Sequence, residues 1–481
     1  MFYYAKTYET FYNTAVWAKH YLNEGLFLYA YSVAVVHRPD MTDVILPPIY
    51  EIYPYYFYNV EVIQKAYFYK QTHSTHHPVP EYDEHFGYTI YANYSGHYLN
   101  LHPEQSMSYY LEDVGINSFY YYYNLYYPFW MSSAEFGFSH VHRGEEYFFF
   151  YQQLLARFYL ERLSNGFGEI PFLNWDVPVE TSYYPSLEYP NGLEFPYRPP
   201  FVKLHEYFYN YGQHWTFTSS YGYGYSYILD WEKRISDVID YGFVYSNPDS
   251  PDNKYYGYIW LYASHLLGYS FQPLDKYQVV PSALEHFETS LRDPMFYQLY
   301  KKLWMKFYRY IYQYSSYTAH DLIFPGVKVT HMEIDSLVTY HEYFYSDLSN
   351  AVFDSSEELL QDSFHVRVAQ ERLNHKPFTY KITVQSEHAT KAVVKIFLAP
   401  LYDEYHRYIN ISENHMNMVL LDYFVYNLTT GENVITHSSY DSHLYGPDPI
   451  SYHELYKQMK NAQTVKGGWD VNQYYYFFPD R

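Results

Sequence analysis

Near His320 the hydrophobic period of this chain changes, and that change constrains the fold more than any other feature. Upstream, apolar residues recur at helical spacing; downstream they alternate. A segment written for one period does not settle into the other structure, so a helical part must precede a β part. Residues 11–36 read as an amphipathic helical stretch, broken at Asn23, Glu24 and Gly25 and stopped at Pro39. Residues 73–85 are polar and contain prolines, the pattern of an exposed loop. From about residue 101 to 317 long helices dominate. Residues 145–163 are the clearest, rich in Leu, Ala, Arg and Glu and closed by Ser164, Asn165 and Gly166. Residues 171–200 form a proline-rich excursion. Ser282 and Glu285 fit a capping box, and 295–314 predict a further helix with Lys and Arg on its outer face. Beyond His320, residues 378–385, 392–398 and 418–428 read as strands, the last followed by a turn at Thr430, Gly431 and Glu432. The plan is helical, helical, then an antiparallel β-sandwich.

Composition narrows what such a fold is for. Tyrosine supplies 72 of 481 residues, about 15%. A buried phenol must find a hydrogen-bond partner, so Leu and Phe are the usual core fillers. An excess this large points to selection on composition itself, as structural glue or as cargo kept for digestion. Only 20 Gly and 26 Pro, with no period of twenty to fifty residues, argue against a fibrous repeat and so against glue. The net charge of −22 disfavours nucleic acid and anionic membranes as partners and suits solubility at high concentration. With no cysteine, disulfides, Cys-ligated zinc and thiol chemistry are excluded. No run of about 18 apolar residues predicts membrane insertion. The opening residues lack the basic and apolar regions of a signal peptide.

Catalytic and metal motifs are missing where they would be sought. His73, His76 and His77 are separated from Glu81 by Pro78 and Pro80, which break any helix that would align them, and a solvated loop is the plainer reading. His140 and His142 are two apart, which suits a strand edge better than a helical metal face. Gly222, Tyr223 and Gly224 lack a third glycine at the right offset and read as a turn. Glu145–Glu146 and Glu357–Glu358 read as solvated faces.

One stretch is more specific. Glu112, Asp113, Val114, Gly115, Ile116, Asn117 and Ser118 lead into Phe119, four tyrosines (120–123), Asn124, Leu125, Tyr126, Tyr127 and Pro128. This resembles the arthropod hemocyanin superfamily, in which a His-His-Trp-His-Trp-His run stands between the same flanks. The resemblance implies two copper-binding histidines at the positions held here by Tyr120 and Asn124. It implies a third at Tyr151, in the helix containing Gln152, Gln153, Leu154, Ala156 and Arg157. For a second copper it implies Trp260 and Ser264, after Tyr256 and Gly257, and Tyr300, after the intact run Arg292, Asp293, Pro294, Met295, Phe296, Tyr297. His265 is one position out of phase and would point about 100° away on a helix. Phenol and amide side chains cannot supply the imidazole nitrogens that such a dicopper centre needs.

A carrier scaffold with its copper ligands replaced resembles the hexamerins, and the aromatic load resembles their arylphorin branch. Further matching runs lie at 91–96, 183–187, 280–289 and 373–378. The resemblance implies a hemocyanin-like α+β fold: a helical N-terminal domain (1–100), a helical central domain (101–319) and an immunoglobulin-like β-sandwich (320–481). It implies a leader and an extra helical segment before Met1, and chain beyond Phe478, Pro479, Asp480 and Arg481. It also implies a secreted hemolymph storage protein, without cofactor or catalytic residues, assembled into homo- or hetero-hexamers and open to an uptake receptor. Asn93, Asn427 and Asn410 sit in N-glycosylation sequons and are candidates for an N-linked glycan, in that order. Two other expectations stand beside storage: a divergent copper-binding hemocyanin or phenoloxidase, and a carrier of small hydrophobic ligands.

Overall fold

The computed structural model describes residues 1–42, 44, 46–73, 82–83, 86–137, 142–204, 225–241, 259–270, 280–353, 364–412, 414–444 and 448–464. The chain opens with two consecutive helices, α1 (Tyr8–Tyr21) and α2 (Glu24–His37). Thr7 caps α1 by accepting from the Thr10 amide at 3.1 Å, and Asn23 caps α2 by accepting from Leu26 at 3.1 Å. The expected break therefore falls on Leu22 and Asn23; Glu24 and Gly25 already belong to α2. Between the helices lie Phe2, Phe11, Ala15, Ala18, Ala34 and Val35. Arg38 closes this unit: its buried guanidinium donates to the carbonyls of Phe2, Tyr3 and Ala5 and pairs with Asp40.

After α3 (Val60–Thr72) come two strands, β1 (Tyr82–Asp83) and β2 (Gly87–Ala92). The first hundred residues are therefore not wholly helical. His76, His77 and Glu81 lie outside the described residues, as do His140, Gly222, Tyr223, Gly224, Glu357 and Glu358.

Five helices build the next layer: α4 (Val114–Tyr126), α5 (Arg143–Ser164), α6 (Tyr225–Tyr241), α7 (Ile259–Gly268) and α8 (Met295–Ile311). Asp113 caps α4 through a 3.0 Å bond from the Ile116 amide. α5 ends as expected, at Asn165 and a left-handed Gly166 with φ 75°. Its Glu145 and Glu146 are exposed. His142 is the N-cap residue of α5 rather than part of a strand edge. The capping box of Ser282 and Glu285 is present on a 3-10 turn.

The outer face expected for α8 needs correction. Lys302 is buried; its ammonium reaches the Leu173 carbonyl at 3.1 Å and Glu232 of α6 at 3.2 Å. A long aliphatic stem lets a cation lie inside while its head finds oxygen partners. The proline-rich excursion is folded back on itself by the isolated bridges Val179–Val202, Tyr183–Arg198 and Glu188–Glu194.

Seven more strands follow: β3 (Val327–Ile334), β4 (Thr339–Asp347), β5 (Val366–His375), β6 (Thr379–Ser386), β7 (Thr390–Leu398), β8 (Val419–Leu428) and β9 (Gly431–Ser438). The three strands expected from alternation are β6, β7 and β8, each within two residues of its expected ends. Sheet β3-β6-β9 and sheet β7-β8 are antiparallel and enclose Phe378, Tyr380, Ile382, Ile396, Phe424 and Ile435. That is the expected sandwich. A third sheet, ordered β1-β2-β5-β4, pairs β2 with β5 in parallel, Tyr88 opposite Val366. This pairing ties early chain to late chain, and one core draws on Val33, Ile63, Val114, Leu187 and Val366 together. The last described element is α9 (Tyr452–Thr464).

Candidate functional site

Helical spacing explains why the site forms. On α4, Tyr120 and Asn124 are four apart and share a buried face; on α5, half-buried Tyr147 stands four before buried Tyr151 on one face. α8 brings Tyr300, and α7 brings Trp260. Together with Phe287, these side chains surround a cavity of about 130 Å³. The Tyr120 and Tyr151 hydroxyls are hydrogen-bonded at 2.9 Å. Tyr151 stacks on Tyr300, with ring centres 4.3 Å apart and planes 2° from parallel, and lies 4.4 Å from the Tyr147 ring. Phe296 backs this cluster, 4.3 Å from Tyr300. Asn124 donates through Nδ2 to the Tyr120 carbonyl at 2.8 Å.

Five of the six sequence-expected positions thus meet: Tyr120, Asn124, Tyr151, Trp260 and Tyr300. Ser264 is buried on α7 but does not line the cavity. His265 points elsewhere, as its phase implied, with Nδ1 2.6 Å from Glu285 Oε1. Sequence reasoning missed Tyr147 and Phe287. Tyr147 was findable, since it stands one helical turn before Tyr151. Phe287 lies in no regular element, so no periodicity marked it.

Burial dominates the electrostatics. It pushes the Tyr120, Tyr147, Tyr151 and Tyr300 phenols up from 10.0, because a phenolate there would be desolvated. Hydrogen bonds from Tyr151 and Tyr300 offset part of that rise at Tyr120; like charge from neighbouring phenols adds to it at Tyr151. Neutral phenols are therefore what the cavity presents at physiological pH. Among the described residues, no three His, Asp or Glu side chains are grouped to hold a metal ion.

Comparison with known proteins covers nearly the whole chain. Three family models match in order: "Hemocyanin, all-alpha domain" at 1–43, "Hemocyanin, copper containing domain" at 48–247 and 243–308, and "Hemocyanin, ig-like domain" at 316–481. Hexamerin 70b of Apis mellifera is 38% identical over all of this chain and 72% of its own length. Arylphorin subunit alpha of Manduca sexta is 39% identical over 96% of this chain and 68% of its own. The chain is a hexamerin of the hemocyanin superfamily. Among solved structures, an activated-state scorpion hemocyanin shares the hemocyanin fold with a TM-score of 0.79 and 28% identity, over 94% of this chain and 72% of that one. A crustacean hemolymph-type prophenoloxidase also reaches 0.79, at 21% identity, and speaks to fold alone.

The hemocyanin domain that contains the cavity is described as copper-containing, so the side chains must be tested against copper. They do not fit it. Protein copper sites draw on imidazole and sulfur donors, whereas this cavity offers neutral phenols, an indole, an amide and the cationic guanidinium of Arg143. The phenol oxygens of Tyr120 and Tyr151 are bound to each other.

Proposed function

We propose that this hexamerin is a copper-free, non-catalytic storage protein of hemolymph, accumulated as a hexamer and later digested to release Tyr and Phe. The observation that carries the reading is the cavity, whose lining among the described residues is mainly aromatic rings and includes no imidazole. In this reading Tyr120, Asn124 and Tyr151 replace the ligands of one copper, and Trp260, Ser264 and Tyr300 those of the other. Loss of the ligands removes oxygen binding and phenol oxidation together, which leaves composition as the property under selection. The 72 Tyr and 34 Phe then are the function, and no single residue performs it. The fold is shared with oxygen carriers and enzymes, so it does not set the function; the site and the composition do.

In this reading the domains are a mainly helical unit that includes β1 and β2 (1–100), a helical unit (101–319) and a β-sandwich (320–481). The chain is secreted, with a glycan on Asn93 first, then Asn427 and Asn410; all three asparagines are exposed. Uptake before digestion uses a receptor.

Two measurements test the reading. Metal analysis of purified protein is expected to find far less than one copper per chain; about two per chain would sink it. The protein is expected to accumulate during feeding and disappear during metamorphosis, and constant levels would count against storage.

A further inference from the structure

The cavity has a size, a lining and a polarity that together specify a ligand. A void of about 150 Å³ lined by apolar side chains stays dry and takes up benzene. This one, at about 130 Å³, has room for a single six-membered ring, but it is partly open to solvent and its lining also carries phenol, amide and guanidinium groups. Its walls are aromatic: Tyr147, Tyr151, Tyr300, Trp260 and Phe287 offer ring faces and edges for stacking. The phenols are held neutral by burial and Arg143 on the wall already donates to the carbonyls of Pro128 and Met131, so an ionised ligand would be desolvated at a cost. Asn124 spends one Nδ2 hydrogen on the Tyr120 carbonyl, and its Oδ1 remains as an acceptor.

We infer that this cavity binds one neutral, phenol-sized aromatic molecule per chain, its ring stacked among the tyrosines and its hydroxyl donating to Asn124. The inference rests on the reading that copper does not occupy the cavity. It goes beyond storage, because a free aromatic would be carried alongside those in the chain.

Calorimetric titration of the intact hexamer with phenol and with benzene tests it. Phenol is expected to bind saturably at one per chain and more tightly than benzene. Asn124→Leu, which keeps the volume and removes the acceptor, is expected to weaken phenol about tenfold and leave benzene within about twofold. Phe287→Trp, which fills the void, is expected to abolish uptake of both. Circular dichroism confirms that each variant is folded. Copper-free protein that takes up no phenol overturns the inference and leaves storage standing, as does uptake that neither variant changes. About two coppers per chain would instead overturn the copper-free reading beneath it.

Discussion

Asp293 offers the sharpest test of how this fold is held together. Arg198, at 1% exposure, meets it in a two-pronged ion pair: Nη1 to Oδ2 at 2.8 Å and Nη2 to Oδ1 at 2.6 Å. The same guanidinium donates to the carbonyls of Thr181 at 2.7 Å and Leu267 at 2.6 Å, while Asp293 also accepts from the Met295 amide at 2.9 Å. One residue pair thus joins the proline-rich excursion, the end of α7 and the start of α8. Asp293→Ala leaves a buried guanidinium without its counter-charge, which costs about 3–5 kcal/mol. At about 2–4 °C per kcal/mol for a cooperative unit of some 200 residues, the melting temperature should fall by about 10 °C. Arg198→Met should do similar damage by stranding the carboxylate. The double variant removes both charges and leaves only backbone groups short of partners, at roughly 1 kcal/mol each, so it should lose about 3 kcal/mol rather than the sum of the singles. Thermal unfolding at fixed protein concentration, followed by near-ultraviolet circular dichroism, reads all three. Additive losses, or an Asp293→Ala melting temperature within about 2 °C of the parent, would refute the argument.

Three other outcomes follow from the same structure. Tyr120→Phe or Tyr151→Phe alone should cost about 1 kcal/mol by leaving one buried hydroxyl without the other, and the double variant should cost little more; denaturant midpoints check this. Glu51 is 1% exposed and accepts from the Asp347 and Tyr452 amides, yet burial first and the Asp347 charge second push its carboxyl up from 4.5 to about 8. Asp347, buried beside it, is pushed up to about 6. Because the folded state holds the proton more tightly, this contribution is fully present below about 4.5 and lost as pH rises through about 8. Glu51→Gln should flatten the fall in melting temperature between pH 6 and 8, and equal slopes in both proteins would contradict it. Asn93→Gln should remove one glycan's mass from the secreted protein, visible by mass spectrometry before and after glycosidase treatment; an unchanged mass would exclude Asn93.

The split between legible and hidden structure has a physical basis. β6 alternates buried and exposed because one face lies on the sandwich core, and alternation in sequence is the imprint of that face. β3 is exposed along nearly its whole length, from Lys328 to Ile334, and its alternation changes phase, from Val327 and Val329 to Met332 and Ile334, at the register irregularity between Val329 and His331, which blurs the imprint. Its pairing with β6 is a matter of backbone, which sequence patterns do not record. β2 is hidden for the opposite reason. Its Gly87, Tyr88, Thr89 and Ile90 are all buried, and its partner β5 lies some 280 residues on. Lys302 was misplaced because helical phase tells which way a Cβ points, but not where a four-carbon stem can carry its charge.

The site divides along the same line. Tyr120, Asn124 and Tyr151 could be placed on helix faces from spacing and resemblance, because those faces are written in residues four apart. The void they surround could not, since its volume is what remains between four helices and an irregular segment after all of them have packed. The tyrosine excess has a different standing for the same reason. Ordinary cores avoid Tyr because its hydroxyl needs a partner, and here Tyr120 and Tyr151 are partners of each other. Clustering phenols thus lets a domain core hold far more tyrosine than isolated substitution would allow. A chain selected for its aromatic content can accumulate such clusters without losing its fold, and the walls of this cavity are one of them.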